Sequence, residues 1–291
     1  MATRILVVGA TGRQGGAVVD ELLSGIYGDF VVYAMTRDTK SDRAVELRRQ
    51  GARICIGNLE RPASYRPYLD EVDGAFLVTD SASYDYEEEV QQGVSFVEAA
   101  YDAELGHLVF ASAMGADFYA NVDTLDAKLE IERRIRDLSL SATVIRPGVF
   151  VQNFEAQRDD IERGELSWPI SPNTALPLVD VHDVGVVAAK SFAHPETFAG
   201  EEIDLAGDLL TLSEIAEGFG AVLGRDVEAV YMSNEEAREQ YGDVVADLYA
   251  WIDGMGGMRF DSTHLDRLDI EPRSLYEALV ENDWQPIPRL P

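Results

Sequence analysis

The run Gly9-Ala10-Thr11-Gly12-Arg13-Gln14-Gly15-Gly16 constrains this chain more than any other stretch. It follows an apolar strand pattern, Thr3 to Val8, and opens a helical one, Gln14 to Ser24, with Ala17, Val18, Leu22 and Leu23 on one face. Strand, glycine-rich turn and helix in that order have a physical use. One glycine makes the tight turn, one lets a phosphate approach the backbone, and one lets the helix pack closely on the strand. The N–H groups and dipole at the helix N-terminus then face a pyrophosphate. This context predicts a dinucleotide site at the start of an α/β domain.

The next 130 residues keep the same rhythm. Strand patterns at Phe30 to Met35, Ala52 to Ile56, Gly74 to Val78, His107 to Ala111 and Ala142 to Arg146 are near-continuous apolar runs. Helical patterns at Asp42 to Gln50, Tyr86 to Asp102 and Asp123 to Leu138 fall between them. Such alternation predicts a doubly wound, Rossmann-type parallel sheet covered on both faces. After Pro147 the rhythm loosens, and Gly164 to Val181, with Pro169, Pro172 and Pro177, reads as irregular. A helix from Val181 to Phe192, a strand from Glu202 to Leu205, a helix from Thr211 to Leu223 capped by Thr211 and Glu214, a strand from Val227 to Tyr231 and a mostly helical Asn234 to Asp253 complete the pattern. The expected division is a dinucleotide-binding domain, 1–150, and a smaller α+β lobe, 151–291, partly interwoven with the sheet.

Among 291 residues, 53 are acidic and 24 basic, a formal net charge of −29. A surface of this sign repels phosphate backbones and anionic lipid, which argues against direct nucleic-acid or membrane partners. The acids are dispersed along the chain, a pattern expected of adaptation to high salt, where screening removes self-repulsion. The single cysteine, Cys55, allows no intrachain disulfide and reads as a small buried hydrophobe. No apolar run reaches membrane-spanning length, no signal peptide precedes the first strand, and a cytoplasmic location is expected. The four histidines, His107, His182, His194 and His264, have no partners at metal-ligand spacing, so no metal site is expected.

At the end of the second strand the sequence reads Thr36-Arg37-Asp38-Thr39-Lys40. An acid at this place would bind a ribose 2′-hydroxyl, whereas the planar fork of Arg37, with Lys40 nearby, suits a 2′-phosphate. NADP(H) is therefore favoured, with NAD(H) still possible through Asp38. Asn58 and Leu59 after the third strand are candidates for the adenine edge, or turn residues. Thr79-Asp80-Ser81 after the fourth are candidates for the ribose and nicotinamide side, or turn residues. Lys128 lies on a charged helix beside Asp126, Glu130 and Glu132, where a solvated face is the plain alternative. After the sixth strand, Pro147 and Gly148 turn the chain toward Phe150, Val151, Gln152 and Asn153, whose amides can reach a ligand.

These residues together resemble the NmrA-like proteins, atypical members of the short-chain dehydrogenase/reductase superfamily. The resemblance covers nearly the whole chain. It rests on Gly9 to Gly16, Thr36-Arg37, Glu87-Glu88-Glu89-Val90-Gln91-Gln92-Gly93, Leu125 to Lys128 with Glu130, Arg146 to Phe154, and Val181-His182-Asp183-Val184. It implies a Rossmann domain and a smaller lobe with a cleft between them. It also implies NADP(H) contacts at Gly9, Thr11, Gly12, Arg13, Gln14, Gly15, Arg37, Lys128 and Phe150 to Asn153. The chain departs from catalytic relatives in one respect. They carry Tyr-x-x-x-Lys, in which the lysine lowers the tyrosine pKa so that the phenol can exchange a proton. Here Thr124 stands four residues before Lys128, and Tyr119 is off register.

Two functions follow from that departure. One is a redox sensor that reads NADP(H) and signals to a protein partner by differential affinity. The other is an NADP(H)-dependent oxidoreductase acting on a quinone, enone or small carbonyl, with Ser112 polarising the carbonyl and Lys128 orienting the nicotinamide ribose. Its pocket would draw on Thr79 to Tyr86, Ser112 to Phe118, Phe150 to Phe154 and the stretch around Trp168. The chain is expected to act as a monomer or homodimer.

Overall fold

The computed structural model describes residues 2–79, 85–117 and 120–284. The elements run β1 (Thr3–Val7), α1 (Arg13–Leu23), β2 (Phe30–Thr36), α2 (Asp42–Gln50), β3 (Arg53–Ile56), α3 (Arg66–Leu69), β4 (Gly74–Val78), α4 (Tyr86–Asp102), β5 (His107–Ala111), α5 (Asp123–Asp137) and β6 (Ala142–Pro147). They continue with β7 (Val149–Phe150), α6 (Arg158–Arg163), β8 (Glu165–Trp168), β9 (Ala175–Val179), α7 (Val181–Ala193), α8 (Pro195–Phe198), β10 (Glu202–Leu205) and β11 (Asp208–Thr211). The last are α9 (Leu212–Leu223), β12 (Glu228–Tyr231), α10 (Asn234–Tyr241), α11 (Asp243–Gly254), α12 (Thr263–Arg267) and α13 (Leu275–Glu281).

The chain forms two compact units. It leaves the first after Arg146, returns to it for Val181–Ile203, and then stays in the second. The sequence placed the boundary at 150 and could not locate this return. Its physical basis is α7, which packs on α1 where Gly185 approaches Ala17; a Cβ on Gly185 would lie 2.6 Å from the Ala17 carbonyl oxygen. His182 Nε2 also meets Glu21 Oε1 at 2.6 Å.

The sheet of the first unit has the order β10-β6-β5-β4-β1-β2-β3. β1 pairs in parallel with β2 and with β4, β2 with β3, β4 with β5, and β5 with β6. This is the Rossmann-type doubly wound arrangement. After β3 the chain crosses to the other side of β1, so the order reverses between β1 and β4, where ligands of such sheets bind beyond the strand C-termini. One face is closed by α3, α4 and α5 over a core that includes Leu6, Leu77, Phe96, Leu108, Phe110 and Ile131. Cys55 belongs to this core, and burial pushes its thiol up to about 12.

The second unit holds a three-stranded sheet, β11-β9-β7, and a two-stranded one, β12-β8. Its core gathers Phe154, Trp168, Phe219, Tyr249 and Trp284. The stretch 164–181 is therefore not irregular: it contains β8 and β9. Pro177 hid β9 because proline argues against a central strand. The register resolves the conflict, since β7 pairs only with Leu178 and Val179 and leaves Pro177 outside that ladder. The stretch 234–253, expected to be mostly helical, is so: it forms two helices separated at Gly242, which has φ +87°. Trp168, expected near a pocket, is instead 4% exposed within the core.

His107 on β5 gives the first unit a pH dependence. Thr143 donates its hydroxyl to the Phe198 carbonyl at 2.9 Å, so it accepts from His107 Nε2 at 2.9 Å. Ser141 Oγ lies 3.1 Å from Nδ1, the acceptor nitrogen of that tautomer. Burial lowers the imidazole from 6.5 to about 4. Below pH 6.5 the unfolded chain binds a proton that the folded one refuses until about 4. Stability from this group is thus complete above about 6.5 and is lost as pH falls to about 4, about 3 kcal/mol in all. Urea unfolding at pH 7 and near pH 4 should show the wild type losing more stability than His107→Gln by that amount. Equal slopes would remove His107 as the cause.

The net charge leads to a second expectation. Exposed acids crowd single elements, as with Glu235, Glu236 and Glu239 on α10 and Asp243 and Asp247 on α11. Their repulsion acts over about 10 Å in 0.1 M salt and about 3 Å in 1 M. The melting temperature should rise by roughly 10 °C or more between 0.1 M and 2 M KCl, with a smaller rise in sucrose. A melting temperature independent of KCl would refute salt adaptation.

Candidate functional site

The cradle forms because Gly9 adopts φ +64°, a conformation costly for residues with a Cβ. That turn lets the Gly12 N–H donate to the Gly9 carbonyl at 2.8 Å. A Cβ on Gly15 would lie 2.3 Å from the Gly9 carbonyl oxygen, so only glycine allows α1 to start this close to the loop. The N-cap of α1 is Gly12, which has no capping side chain, and the first turn contains no acid. Gln14 Oε1 is buried with no hydrogen-bond partner among the described residues. A backbone cradle open at the helix N-terminus, with its N–H groups free of any side-chain cap, fits a phosphate-bearing dinucleotide.

The end of β2 lies beside this cradle, since Val7 pairs with Ala34. Arg37 and Lys40 are exposed there. Asp38 uses Oδ1 to accept the Lys40 backbone N–H at 2.8 Å, which makes it a turn former. Asn58 also serves a turn: its Oδ1 accepts from the Glu60 N–H at 3.0 Å, while Leu59 packs against the core. Asp80, Ser81, Phe118 and Tyr119 lie outside the described residues.

Lys128 is not on a solvated face. It is 5% exposed, and its Nζ lies 2.8 Å from Glu89 Oε1, 2.6 Å from Thr79 Oγ1 and 3.4 Å from the Thr79 carbonyl. Thr79 in turn donates its proton to Glu89 Oε1 at 2.6 Å. Gly93 makes this meeting possible, because its Cβ would fall 2.2 Å from Ile131 Cδ1 and would push α4 off α5. The Glu87-to-Gly93 run that marks the family resemblance thus has a packing reason. Glu89 leaves only a partial mark in the sequence: it shares a helical spacing with Gln92, Gly93, Phe96, Val97 and Ala100, all buried on α4, while its pairing with Lys128 needs the packing of α5. If the pair acts as one unit, Glu89→Gln and Lys128→Met should be non-additive in dinucleotide affinity by about tenfold. Additive losses would separate them.

One helical turn beyond Lys128, Glu132 is fully buried. It accepts the Ser112 hydroxyl at 2.6 Å and two bonds from Arg146, at 2.9 and 2.5 Å. In the sequence Glu132 stood out only as a charged neighbour of Lys128, and Arg146 only as the first residue of the run to Phe154. Thr124 Oγ1, four residues before Lys128, is buried without a partner among the described residues.

The cradle, Arg37, Lys40, Asn58, Thr79, Ser112 and Lys128 all belong to the first unit, and most sit at the C-terminal ends of its strands. Phe150, Val151, Gln152 and Asn153 belong to the second. There Phe150 pairs with Val179, Val151 is core, and Gln152 Nε2 donates to Asn282 Oδ1 at 3.3 Å. Among the described residues no group of three or more His, Cys, Asp or Glu side chains could hold a metal ion. No described helix is long and apolar enough to cross a membrane.

Fold and cradle together define a Rossmann-type α/β protein. The chain belongs to the NmrA-like family, which matches residues 1–277. It is 29% identical over 274 residues to an NmrA-like family domain-containing protein of Dictyostelium discoideum, covering 88% of this chain and 89% of that one. It is 28% identical over 257 residues to an NAD(P)H azoreductase of Xenophilus azovorans, covering 84% and 86%. The triphenylmethane reductase of Citrobacter sp., solved in complex with NADP(H), superposes with a TM-score of 0.82 at 21% identity, covering 97% and 99%.

Proposed function

We propose that this protein is an NADP(H)-dependent oxidoreductase that passes a hydride to an electron-poor conjugated acceptor of the quinone type, without a tyrosine acid. The observation that carries the reading is the Gly9–Gly15 cradle at an α1 N-terminus with no side-chain cap, beside Arg37 at the end of β2. The backbone amides there suit phosphate, and the planar Arg37 fork suits a 2′-phosphate, while Asp38 uses Oδ1 in its own turn. The family and the named activities of its relatives support the same class.

When bound, the reduced nicotinamide supplies the hydride. The chain's own residues orient it. Lys128 holds a positive charge at the end of β4, fixed by Glu89 and Thr79. Thr124 is a poor acid, so the acceptor must be one whose reduced anion draws its protons from water. Quinones meet that condition.

The test is thermal stabilisation by NADPH, NADP⁺, NADH and NAD⁺ in high salt, followed by NADPH oxidation with quinones and azo dyes. Stabilisation by the phosphorylated pair with steady turnover is expected. Tight binding that separates the redox states without turnover on any acceptor would favour the sensor instead. No stabilisation by any dinucleotide would overturn the reading.

A further inference from the structure

Hydrogen-bond polarity at Ser112 is fixed from behind. Its hydroxyl lies 2.6 Å from Glu132 Oε1. Both Glu132 oxygens also accept from guanidinium groups: Oε1 from Arg146 Nε at 2.9 Å, and Oε2 from Arg146 Nη2 at 2.5 Å and Arg136 Nη1 at 3.2 Å. The two arginines also reach Glu202, at 2.6 and 2.5 Å, so two positive and two negative charges balance. A carboxylate held this way has lone pairs and no proton. A hydroxyl bonded to it must donate, and its single proton is then committed. Ser112 can offer any other molecule only its lone pairs.

This reverses the role expected of Ser112, since polarising a carbonyl requires that proton. The neighbourhood adds a complementary group. Val78 and Ala111 are paired across β4 and β5, so Thr79 and Ser112 are the next residues of adjacent strand ends. Lys128 is held on Thr79, and its longest bond, 3.4 Å to the Thr79 carbonyl, is the one it can most readily exchange. A cationic donor and an obligate acceptor thus stand at neighbouring strand ends.

We propose that Ser112 is a specificity-determining acceptor, and that Ser112 and Lys128 together recognise a conjugated carbonyl with an N–H or O–H donor beside it. This rests on the reductase reading above and names the chemistry its site selects. Two molecules can present that pattern: the nicotinamide carboxamide, and an acceptor such as an amino-substituted quinone.

The experiment compares wild type with Ser112→Ala, which removes one oxygen and leaves Glu132 bound to Arg146. Affinities are read from tryptophan fluorescence in high salt for two pairs of probes. The first pair is NADP⁺ and its acetylpyridine analogue, which lacks the amide N–H. The second, with NADP⁺ bound, is an amino-substituted naphthoquinone and its methyl counterpart. In one pair the wild type should favour the N–H-bearing member by about tenfold, and Ser112→Ala should bring that ratio near one. The pair that responds identifies the source. Glu132→Gln, whose amide N–H can donate to the serine oxygen and so occupy its lone pairs and release its proton, should lower the same ratio with the hydroxyl retained. Ratios unchanged in both pairs, or a greater loss for the probes lacking N–H, would overturn the acceptor role alone. Absence of dinucleotide binding, read separately by melting temperature, would overturn the reductase reading and this inference with it.

Discussion

Gly15→Ala is expected to weaken dinucleotide binding by at least about 100-fold, a loss of about 2.7 kcal/mol. The added Cβ would meet the Gly9 carbonyl oxygen at 2.3 Å, the Gly9 carbonyl carbon at 2.5 Å and the Ala10 nitrogen at 2.9 Å. All three are backbone atoms, so no rotamer change relieves the clash. The helix start must move off the loop, and the amides that face the phosphate move with it. Overpacking of this kind costs roughly 1–3 kcal/mol of stability, which a domain of this size should survive. Gly16→Ala is the control. Its Cβ would meet the flexible end of the Arg43 side chain at 3.1 Å, so binding should change by no more than about threefold. Titration of both variants with NADPH, alongside circular dichroism, separates the outcomes. Equal affinities for Gly15→Ala and wild type would show that the cradle is not where the dinucleotide binds.

The largest expected loss of stability follows Glu132→Ala. Glu132 is fully buried and joins Ser112, Arg146 and Arg136, and so links the end of β5, the body of α5 and the end of β6. Removing it leaves the Arg146 guanidinium, 6% exposed, with Glu202 as its remaining carboxylate partner in the cluster. Breaking one side of a buried pair costs about 3–5 kcal/mol, chiefly because the other charge stays desolvated. Replacing both partners by apolar residues of similar volume is often close to neutral. The double variant Glu132→Leu with Arg146→Met should therefore recover much of the loss, while Arg136 and Glu202 keep each other at 2.5 Å. Urea unfolding checks this directly. A double variant less stable than Glu132→Ala would mean that the pair contributes net stability beyond the cost of its burial.

Much of the first unit was legible because its signals are local. Gly74 to Val78, Asp42 to Gln50, Tyr86 to Asp102 and His107 to Ala111 have the same ends in the sequence reading and the structure. Each is a long periodic or continuous apolar segment with clear punctuation. The Thr211–Glu214 capping box was also readable, because a cap spans only four residues. β9 was not, because Pro177 contradicts a strand locally and only its register with β7 and β11 accommodates it. The return of 181–203 to the first unit was hidden for the same reason, since close packing of Gly185 on Ala17 leaves no local mark.

The site divides along that line. Sequence by itself determined the glycine cradle, the basic pair Arg37 and Lys40, and the lack of a tyrosine four residues before Lys128. Each depends on a residue's identity and its distance along the chain. Tertiary structure alone decided which charges are buried and what they bind. Three consecutive glutamates begin α4, and only packing against α5 selects Glu89 as the partner of Lys128. Lys128 and Glu132 read as the polar face of a charged helix, yet both are buried, and Glu132 takes the proton of Ser112. Spacing on a helix shows which residues share a face; the element packed against that face decides whether a charge there meets water or a partner, and so which hydrogen bonds it can still offer.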